Sequence, residues 1–251
     1  MKNVLVLSIL IGVFSSLGIA QVDPIPPPRR VAAPKVGLFI GFTPGWLNLN
    51  MAPINEFLVG ANAAPLSDNG VMMYGGAGAI YILVIKNFRV GGVGMSGSTS
   101  SSVTDAAGVR RDAELGTGFG GLTFEYVFPV VRRFDIAVGS MIGWGSMNLT
   151  LRQDIGGNST WSGEQEILGN WPPTTLTNLT RRLSGSYFAM VPAVNFEYAP
   201  LGWLMLRLGA SYVWMEFPSW SVDVKHDLTG VPDAVKGNGF MINGGIFVGT
   251  F

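Results

Sequence analysis

The stretch "WLMLRLGASYVWMEF", residues 203–217, alternates between two kinds of side chain along most of its length. Its even positions are Leu204, Leu206, Leu208, Ala210, Tyr212 and Trp214, and its odd positions include Arg207, Gly209 and Ser211. Successive side chains of a β-strand point to opposite faces, so the pattern predicts a strand with one apolar face. An apolar face turned outward, with small or charged residues inward, is typical of strands that cross a membrane as part of a barrel.

The same alternation recurs elsewhere in the chain. It is found in residues 35–43, 121–128, 133–144 and 186–198. Residues 71–86 and 239–251 are apolar on both faces, and we predict strands there from their length, glycine content and position. The chain therefore reads as a series of strands.

Composition also indicates a membrane protein. Only 13% of the 251 residues are charged and the mean hydropathy is +0.37, whereas soluble domains carry about 25% charged residues. The net charge is zero, so no field attracts nucleic acid. The chain has no cysteine, which excludes disulfides and thiolate metal sites.

Helical membrane spans do not fit the mature sequence. A helical span needs about 20 mostly apolar residues, and the longest uncharged apolar stretches, 69–85 and 136–151, are interrupted by glycines. In lipid, a closed β-barrel is the remaining way to satisfy the backbone. We therefore predict an all-β fold, a transmembrane antiparallel up-and-down β-barrel.

The N-terminus reads as an export signal. Residues 1–20 combine Lys2, an apolar stretch and small residues before a cleavage site after Ala20. Residues 21–34 are rich in proline and are predicted to form a stiff periplasmic segment. Residues 35–251 would form the barrel, in a bacterial outer membrane and with both mature termini in the periplasm.

Connection lengths predict the topology. The predicted strands lie near residues 35–43, 71–86, 88–97, 115–128, 133–150, 183–198, 203–217 and 239–251. The long connections are residues 44–70, 98–114, 151–182 and 218–238, and they alternate with short ones at 86–88, 129–133 and 199–203. Short periplasmic turns and long extracellular loops are typical of outer-membrane barrels. We predict a monomer of eight strands, or ten if loop 44–70 or 151–182 contains a hairpin.

Aromatic residues are placed at both ends of the predicted strands. Those near the short turns are Phe128, Phe134, Tyr198, Trp203 and Phe251, and those near the long loops are Trp46, Tyr74, Trp144 and Trp214. Aromatic side chains concentrate at membrane interfaces. We therefore expect two aromatic girdles, with Phe251 in the periplasmic one.

The signal, the eight-strand alternation and the terminal "GGIFVGTF" together resemble the small outer-membrane β-barrels of the OmpA/OmpX type. The resemblance covers nearly the whole mature chain as architecture. It implies that the barrel-assembly machinery recognises the C-terminal strand through its final aromatic residue, Phe251. The sequence departs from the pattern at Gly249, where an aromatic residue is common in that group.

Charged residues on the inward-facing positions predict a closed lumen. They are Lys35, Arg89, Glu125, Asp135, Glu197 and Arg207. An eight-stranded barrel is just wide enough for its side chains to fill, and buried charges must pair. We predict a structural charge network that closes the lumen, with a proton or ion path as the alternative.

Two apparent motifs suggest enzymatic or cofactor sites. "GVGMSG", residues 92–97, fits a dinucleotide fingerprint, but no helical pattern follows it. His226, the only histidine, has Asp223 and Asp227 nearby with Ser219 and Ser221 upstream, so a lipid A-modifying enzyme is an alternative function. We predict no catalytic, metal or cofactor site.

The long loops remain as candidates for function. Trp161, Trp171 and Trp220 lie in polar loop sequence, and exposed aromatic residues are common binding anchors. The leading hypothesis is a non-enzymatic outer-membrane protein, in contact with membrane lipid, that is structural or binds an extracellular ligand in adhesion through four long loops. A narrow pore is a further alternative.

Overall fold

The computed structural model describes residues 37–156, 178–223, 226–232, 235 and 237–251. The described residues all belong to one compact unit, Pro34–Phe251. The predicted signal, the proline-rich segment and Lys35 lie outside the described residues, as do Trp161 and Trp171.

The described residues form one antiparallel sheet and a short helix. The strands are β1 (Leu38–Phe42), β2 (Gly45–Leu49), β3 (Val71–Tyr81), β4 (Phe88–Thr104), β5 (Arg110–Val131), β6 (Phe134–Asp154), β7 (Leu179–Leu201), β8 (Leu204–Val222), β9 (His226–Leu228) and β10 (Gly239–Gly249), and the helix is α1 (Ala52–Gly60). Within these residues no helix is long and apolar enough to cross a membrane.

The sheet closes into a ring. Each of β3 to β8 pairs with the next strand, and β10 pairs with β8 on one side and with β1 and β2 on the other. β1 and β2 both pair with β3, so they are two parts of one barrel strand interrupted at Thr43 and Pro44. β9 pairs with the end of β8 alone. The ring therefore has eight positions, which confirms the predicted eight-stranded up-and-down barrel.

The barrel has the outer surface of a membrane protein. Large apolar side chains are exposed on it, including Leu38, Ile40, Phe42, Leu122, Phe124, Leu206, Leu208 and Ile246. A continuous belt of this kind is stable in contact with lipid and not with water. The chain is thus a small transmembrane β-barrel. We call the end with the connections 82–87, 132–133 and 202–203 the turn end, and the opposite end the loop end.

At the loop end the strands are longer than predicted. β4 and β5 continue to Thr104 and from Arg110, so the predicted long loop 98–114 is a turn of residues 105–109. β6, β7 and β8 also extend beyond their predicted ends. The predicted long loop at 98–114, one of the four, is therefore wrong.

The strands were predicted too short because the polarity of their two faces is inverted at the loop end. At the loop end of β5, the outward side chains are charged, as at Asp112 and Glu114, whereas the inward Ala113 and Leu115 are buried. Water replaces lipid outside the strand while the interior stays apolar. The strand period is unchanged, but the apolar face has moved from the outside to the inside, so a search for outward apolar residues ends too early.

Helix α1 is the second difference from the sequence prediction, which placed it in a loop. Asn50 accepts a hydrogen bond at Oδ1 from the amide of Ala52 at 3.3 Å, and a proline stands in the first turn. Ile54 and Leu58, four positions apart, are both buried in the mouth of the barrel. The helix is therefore anchored by one apolar edge over the loop end of the lumen.

Candidate functional site

Four charged side chains meet in the lumen near the turn end. Arg89 Nε lies 2.6 Å from Glu125 Oε2, and Arg89 Nη1 donates to Glu197 Oε2 at 2.8 Å, with a second bond from Nη2 to Glu197 Oε1. The register explains these contacts, because Arg89 stands opposite Glu125 in β4 and β5, and Glu197 stands opposite Arg207 in β7 and β8. We call Arg89, Glu125, Glu197 and Arg207 the ionic layer.

Arg207 completes the ionic layer by proximity more than by directed bonds. Its Nη2 lies 2.7 Å from Glu197 Oε1 and its Nη1 lies 3.6 Å from Glu125 Oε1. Nε and Nη2 are nevertheless not aligned with any hydrogen-bond acceptor among the described residues. The Coulomb attraction depends on distance and remains strong here, whereas a hydrogen bond also depends on direction, and Nε and Nη2 are poorly aligned for one.

Aromatic rings and an amide surround the ionic layer. The Phe39 ring lies 5.0 Å from the Arg89 guanidinium and 5.2 Å from that of Arg207, and Asn195 donates to Glu125 Oε1 at 2.9 Å. The face of an aromatic ring attracts cations. Two positive and two negative charges are thus paired and enclosed, with Arg89 only 1% exposed.

The structure brings together four of the six predicted lumen charges. Asp135 faces the same side of the sheet, opposite Glu197 in the β6–β7 ladder, and is half-buried. Phe39 and Asn195 were not among the predicted residues. Both are odd-numbered, as are the other inward residues of their strands, and this numbering could have assigned them to the lumen from the sequence.

The lumen above the ionic layer is filled by apolar side chains. The cluster includes Leu47, Met73, Met95, Leu115, Met141, Met147, Leu149, Val213, Met215 and Met241, together with Ile54 and Leu58 of α1. A cavity of about 60 Å³ lies between this apolar layer and the ionic layer, which is room for only a few water molecules. The interior is therefore closed at two levels by different chemistry.

A larger pocket, of about 570 Å³, opens at the loop end, and we call it the mouth pocket. One wall is the inner face of the strand ends, with Leu115, Leu149, Leu183 and Trp220. The second wall is α1, with Ala52, Pro53, Ile54, Glu56 and Phe57, and the third is the segment from Leu228 to Pro232 together with Val235. Trp220, predicted as a loop residue, belongs to β8 and stacks on Phe217 with ring centroids 5.0 Å apart.

Most of the predicted girdle residues lie on the outer surface. Tyr74, Trp144 and Trp214 are exposed toward the loop end, and Phe128, Tyr198 and Trp203 are exposed toward the turn end. Trp46 is half-buried, and its Nε1 donates to the carbonyl of Asn69 at 2.6 Å. Phe134 is half-buried against Phe196, with ring centroids 6.4 Å apart.

Phe251 does not belong to the outer girdle, so its predicted placement is wrong. Its ring centroid lies 5.9 Å from that of Phe39, and it packs against the buried cluster of Phe39, Met205 and Phe247. Odd-numbered side chains near the end of β10 point into the lumen, which carries Phe251 to the inside of the rim. Recognition of this residue by the assembly machinery stays a prediction.

His226 lies in an exposed position without a catalytic arrangement. It stands in β9 opposite Val222, and among the described residues it makes no hydrogen bond to a serine or a carboxylate. Asp223 accepts from the amide of Arg182 at 3.1 Å and from Arg181 Nη1 at 2.7 Å, and these bonds lower the pKa of Asp223. Asp223 therefore fixes the end of β7 instead of orienting an imidazole.

The apparent dinucleotide fingerprint does not form a site. Gly92, Gly94 and Gly97 all lie within β4, which pairs with β5 along its whole length, so the apparent nucleotide fingerprint is an ordinary strand. The described residues contain no group of three or more side chains that could hold a metal ion.

No protein-family model matches the chain, and no curated protein matches it. Solved outer-membrane proteins are similar in structure. A major outer membrane protein from Thermus thermophilus has a TM-score of 0.45 and 10% identity over 85% of this chain and 98% of that chain. OprG from Pseudomonas aeruginosa has a TM-score of 0.42 and 8% identity over 86% and 96%. Neisserial surface protein A has a TM-score of 0.40 and 10% identity over 85% and 97%. At these values no residue role and no function passes from those proteins to this chain.

Proposed function

We propose that this chain is a non-enzymatic, non-conducting outer-membrane protein that acts at the cell surface through its loop end. The observation that carries the proposal is the double closure of the lumen. Ions would have to displace the paired charges of Arg89, Glu125, Glu197 and Arg207 and then cross a layer of leucine and methionine side chains. Both steps are unfavourable, because one breaks buried ion pairs and the other takes ions into an apolar medium.

Bilayer conductance tests the closed lumen. The folded protein, verified by a mobility shift between boiled and unboiled samples on SDS gels, is inserted in planar bilayers. We expect no single-channel steps. The variant with Arg89→Ala and Glu197→Ala should also stay silent, because the apolar layer still closes the lumen. Large, reproducible steps from the unaltered protein would reject a closed barrel and favour the narrow pore.

The surface role is supported by what the loop end presents. The strands continue past the lipid-facing belt, and the outward side chains there are polar, as at Arg110, Asp112 and Glu114. Phe57 is 47% exposed and Val59 is 60% exposed on α1, at the mouth. Extended strands that present exposed apolar side chains at the loop end are suited to binding a ligand and not to transport of a solute through the lumen.

Replacement of residues 157–177, which include Trp161 and Trp171, tests the proposed binding at the cell surface. A short Gly-Ser linker takes their place in one strain, and the unaltered protein is expressed in another. We expect reduced attachment of cells to host or abiotic surfaces at equal amounts of folded protein. If attachment and envelope integrity are both unchanged, binding through this loop is excluded.

A further inference from the structure

We propose that the mouth pocket is a binding site for a small apolar cation, a molecule with a hydrocarbon or aromatic body and one positively charged group. The inference deepens the proposed function and rests on it only in placing the loop end at the cell surface. It starts from a concave site whose walls come from three separate parts of the chain.

The size and lining of the mouth pocket are those of a small-molecule site. Pockets for such ligands measure about 300–1,000 Å³ and are mainly apolar, with a few polar groups. This one measures about 570 Å³, and Leu115, Leu149 and Leu183 stand directly opposite one another in consecutive strands to form its inner wall. A folded protein could not enter it, and a carbohydrate would find few hydrogen-bonding partners.

The walls of the pocket are held in place before any ligand arrives. Asn55 on α1 accepts at Oδ1 from the amide of Leu66 at 2.8 Å, and its Nδ2 donates to the Leu66 carbonyl at 3.0 Å and to Asp68 Oδ1 at 3.1 Å. Ser101 of β4 donates to the carbonyl of Ala64 at 2.7 Å. These bonds tie the helix and the chain that follows it to the barrel. A preformed wall lowers the entropic cost of binding.

Charge decides between classes of apolar ligand. Glu56 is the single charged residue among the described residues that line the pocket, and Thr229 adds a hydroxyl. A carboxylate with no basic residue among the described residues of the lining attracts a cationic group and repels an anionic one. Trp220, also in the lining, adds an aromatic ring that can contact a cation. These groups select against fatty-acid or phosphate head groups.

Three probes of equal chain length test the inference. Octyltrimethylammonium, octanol and octanoate differ in charge but share an eight-carbon body, and each is titrated by calorimetry into the full barrel in neutral-lipid nanodiscs, with empty nanodiscs subtracted. We expect octyltrimethylammonium to bind about threefold to fivefold more tightly than octanol, and octanoate to bind more weakly still. The preference for the cation should shrink at high salt, because Glu56 is exposed.

Two pairs of variants locate the site. Phe57→Ser should weaken octyltrimethylammonium by about fivefold or more, since it removes an aromatic wall. Val59→Ser is its control, because Val59 is exposed on the same helix but does not line the pocket. Glu56→Gln should abolish the difference between the cation and octanol, whereas Glu114→Gln, an exposed carboxylate on the outer face, should leave it.

Equal affinity for the three probes, or equal effects of Phe57→Ser and Val59→Ser, would overturn the inference. Tightest binding of octanoate would also overturn it, since an anion site would then exist. A conducting barrel that still selects octyltrimethylammonium through Glu56 would leave the inference standing while the proposed function failed. A barrel that does not conduct and does not prefer the cation would overturn the inference while leaving the proposed closed lumen standing.

Discussion

The two halves of one lumen are closed in opposite ways. Near the turn end, four charged side chains are paired in a single layer, and Arg89 and Glu197 are almost completely buried. Toward the loop end, leucine and methionine side chains fill the same bore and α1 lies over them. Both halves close the lumen, but one does so by pairing charges and the other by filling the bore with apolar side chains.

The difference determines how each half responds to change. A buried charge that loses its partner keeps the whole cost of desolvation. Removing one charged side chain of the ionic layer should therefore destabilise the remaining three as well. An apolar cluster loses contacts in proportion to the volume removed. Methionine side chains adapt to irregular gaps, and Met73, Met147 and Met215 are all completely buried in the apolar half.

The largest effect should come from Glu197→Gln. It preserves the shape of the side chain but leaves Arg89 and Arg207 with one carboxylate, that of Glu125. We expect the free energy of unfolding to fall by about 3–5 kcal/mol, as for other broken buried pairs. Urea unfolding in lipid vesicles, followed by tryptophan fluorescence, measures this.

Glu114→Gln is the matched control for that measurement. Glu114 is exposed, and its Oε2 lies 3.9 Å from Arg152 Nη2 on the outer face. An exposed pair contributes about 0–1 kcal/mol. Equal losses for Glu114→Gln and Glu197→Gln would show that burial of the ionic layer does not determine its strength.

The next effect should come from Leu58→Ala on α1. Leu58 is completely buried in the apolar half, so the substitution leaves a cavity that the helix can only partly fill. The expected loss is about 2–5 kcal/mol for complete loss of these contacts, with values near the lower limit if the helix shifts inward. Limited proteolysis at 52–60 should become faster. Val59→Ala, at an exposed position on the same helix, should change neither quantity.

Much of this architecture could be predicted from the sequence because lipid and lumen impose opposite polarity on alternate residues. Arg207, between Leu206 and Leu208, shows that rule directly. The extended strand ends could not be found by it, since Asp112 and Glu114 are charged on the outward side, where the rule expects apolar residues. α1 was missed although Pro53, Ile54 and Leu58 have the spacing of a short anchored helix.

The site was predictable to a smaller extent. The sequence alone predicts a layer of charged inward residues, and it includes the four that form the ionic layer as well as Lys35 and Asp135. The prediction is possible because inward residues at the same distance from the strand ends lie side by side in the barrel. The mouth pocket could not be foreseen. Its walls join Phe57, Trp220 and Val231, which are far apart in the sequence and meet only through the register of the closed ring.

A smaller effect is expected for Met147→Leu in the apolar half. The two side chains have similar volume, so the cost should stay below about 1.5 kcal/mol. Met147→Ala at the same position should cost about 2–5 kcal/mol. A loss above about 3 kcal/mol for Met147→Leu would mean that the apolar half is as strict in geometry as the ionic layer, and the contrast between them would disappear.

The smallest effect concerns the turn at residues 105–109, which lies outside both halves. Asp105 accepts at Oδ2 from Arg111 Nη1 at 2.9 Å, and at Oδ1 from the amides of Ala107 and Val109 at 2.9 and 3.0 Å. The bond from Arg111, followed by those from Val109 and Ala107, lowers the pKa of Asp105. A lowered pKa means that the charged form stabilises the turn above the ordinary pKa, and that this contribution is lost as the pH falls through the lowered value.

Hydrogen exchange of the Ala107 and Val109 amides, expressed as protection factors, follows this local contribution. Protection should decrease on acidification below the ordinary pKa of an aspartate, and Asp105→Asn should remove that dependence while keeping an oxygen acceptor for the two amides. The Phe88 amide, which donates to the Ile85 carbonyl in the turn between β3 and β4, serves as the control and should show no such dependence. Because Asp105 is partly exposed in a turn and contacts neither half of the lumen, global unfolding should hardly change. A large global loss for Asp105→Asn would show that the loop-end extension is coupled to the lumen, and the two-part division of the barrel would need a third part.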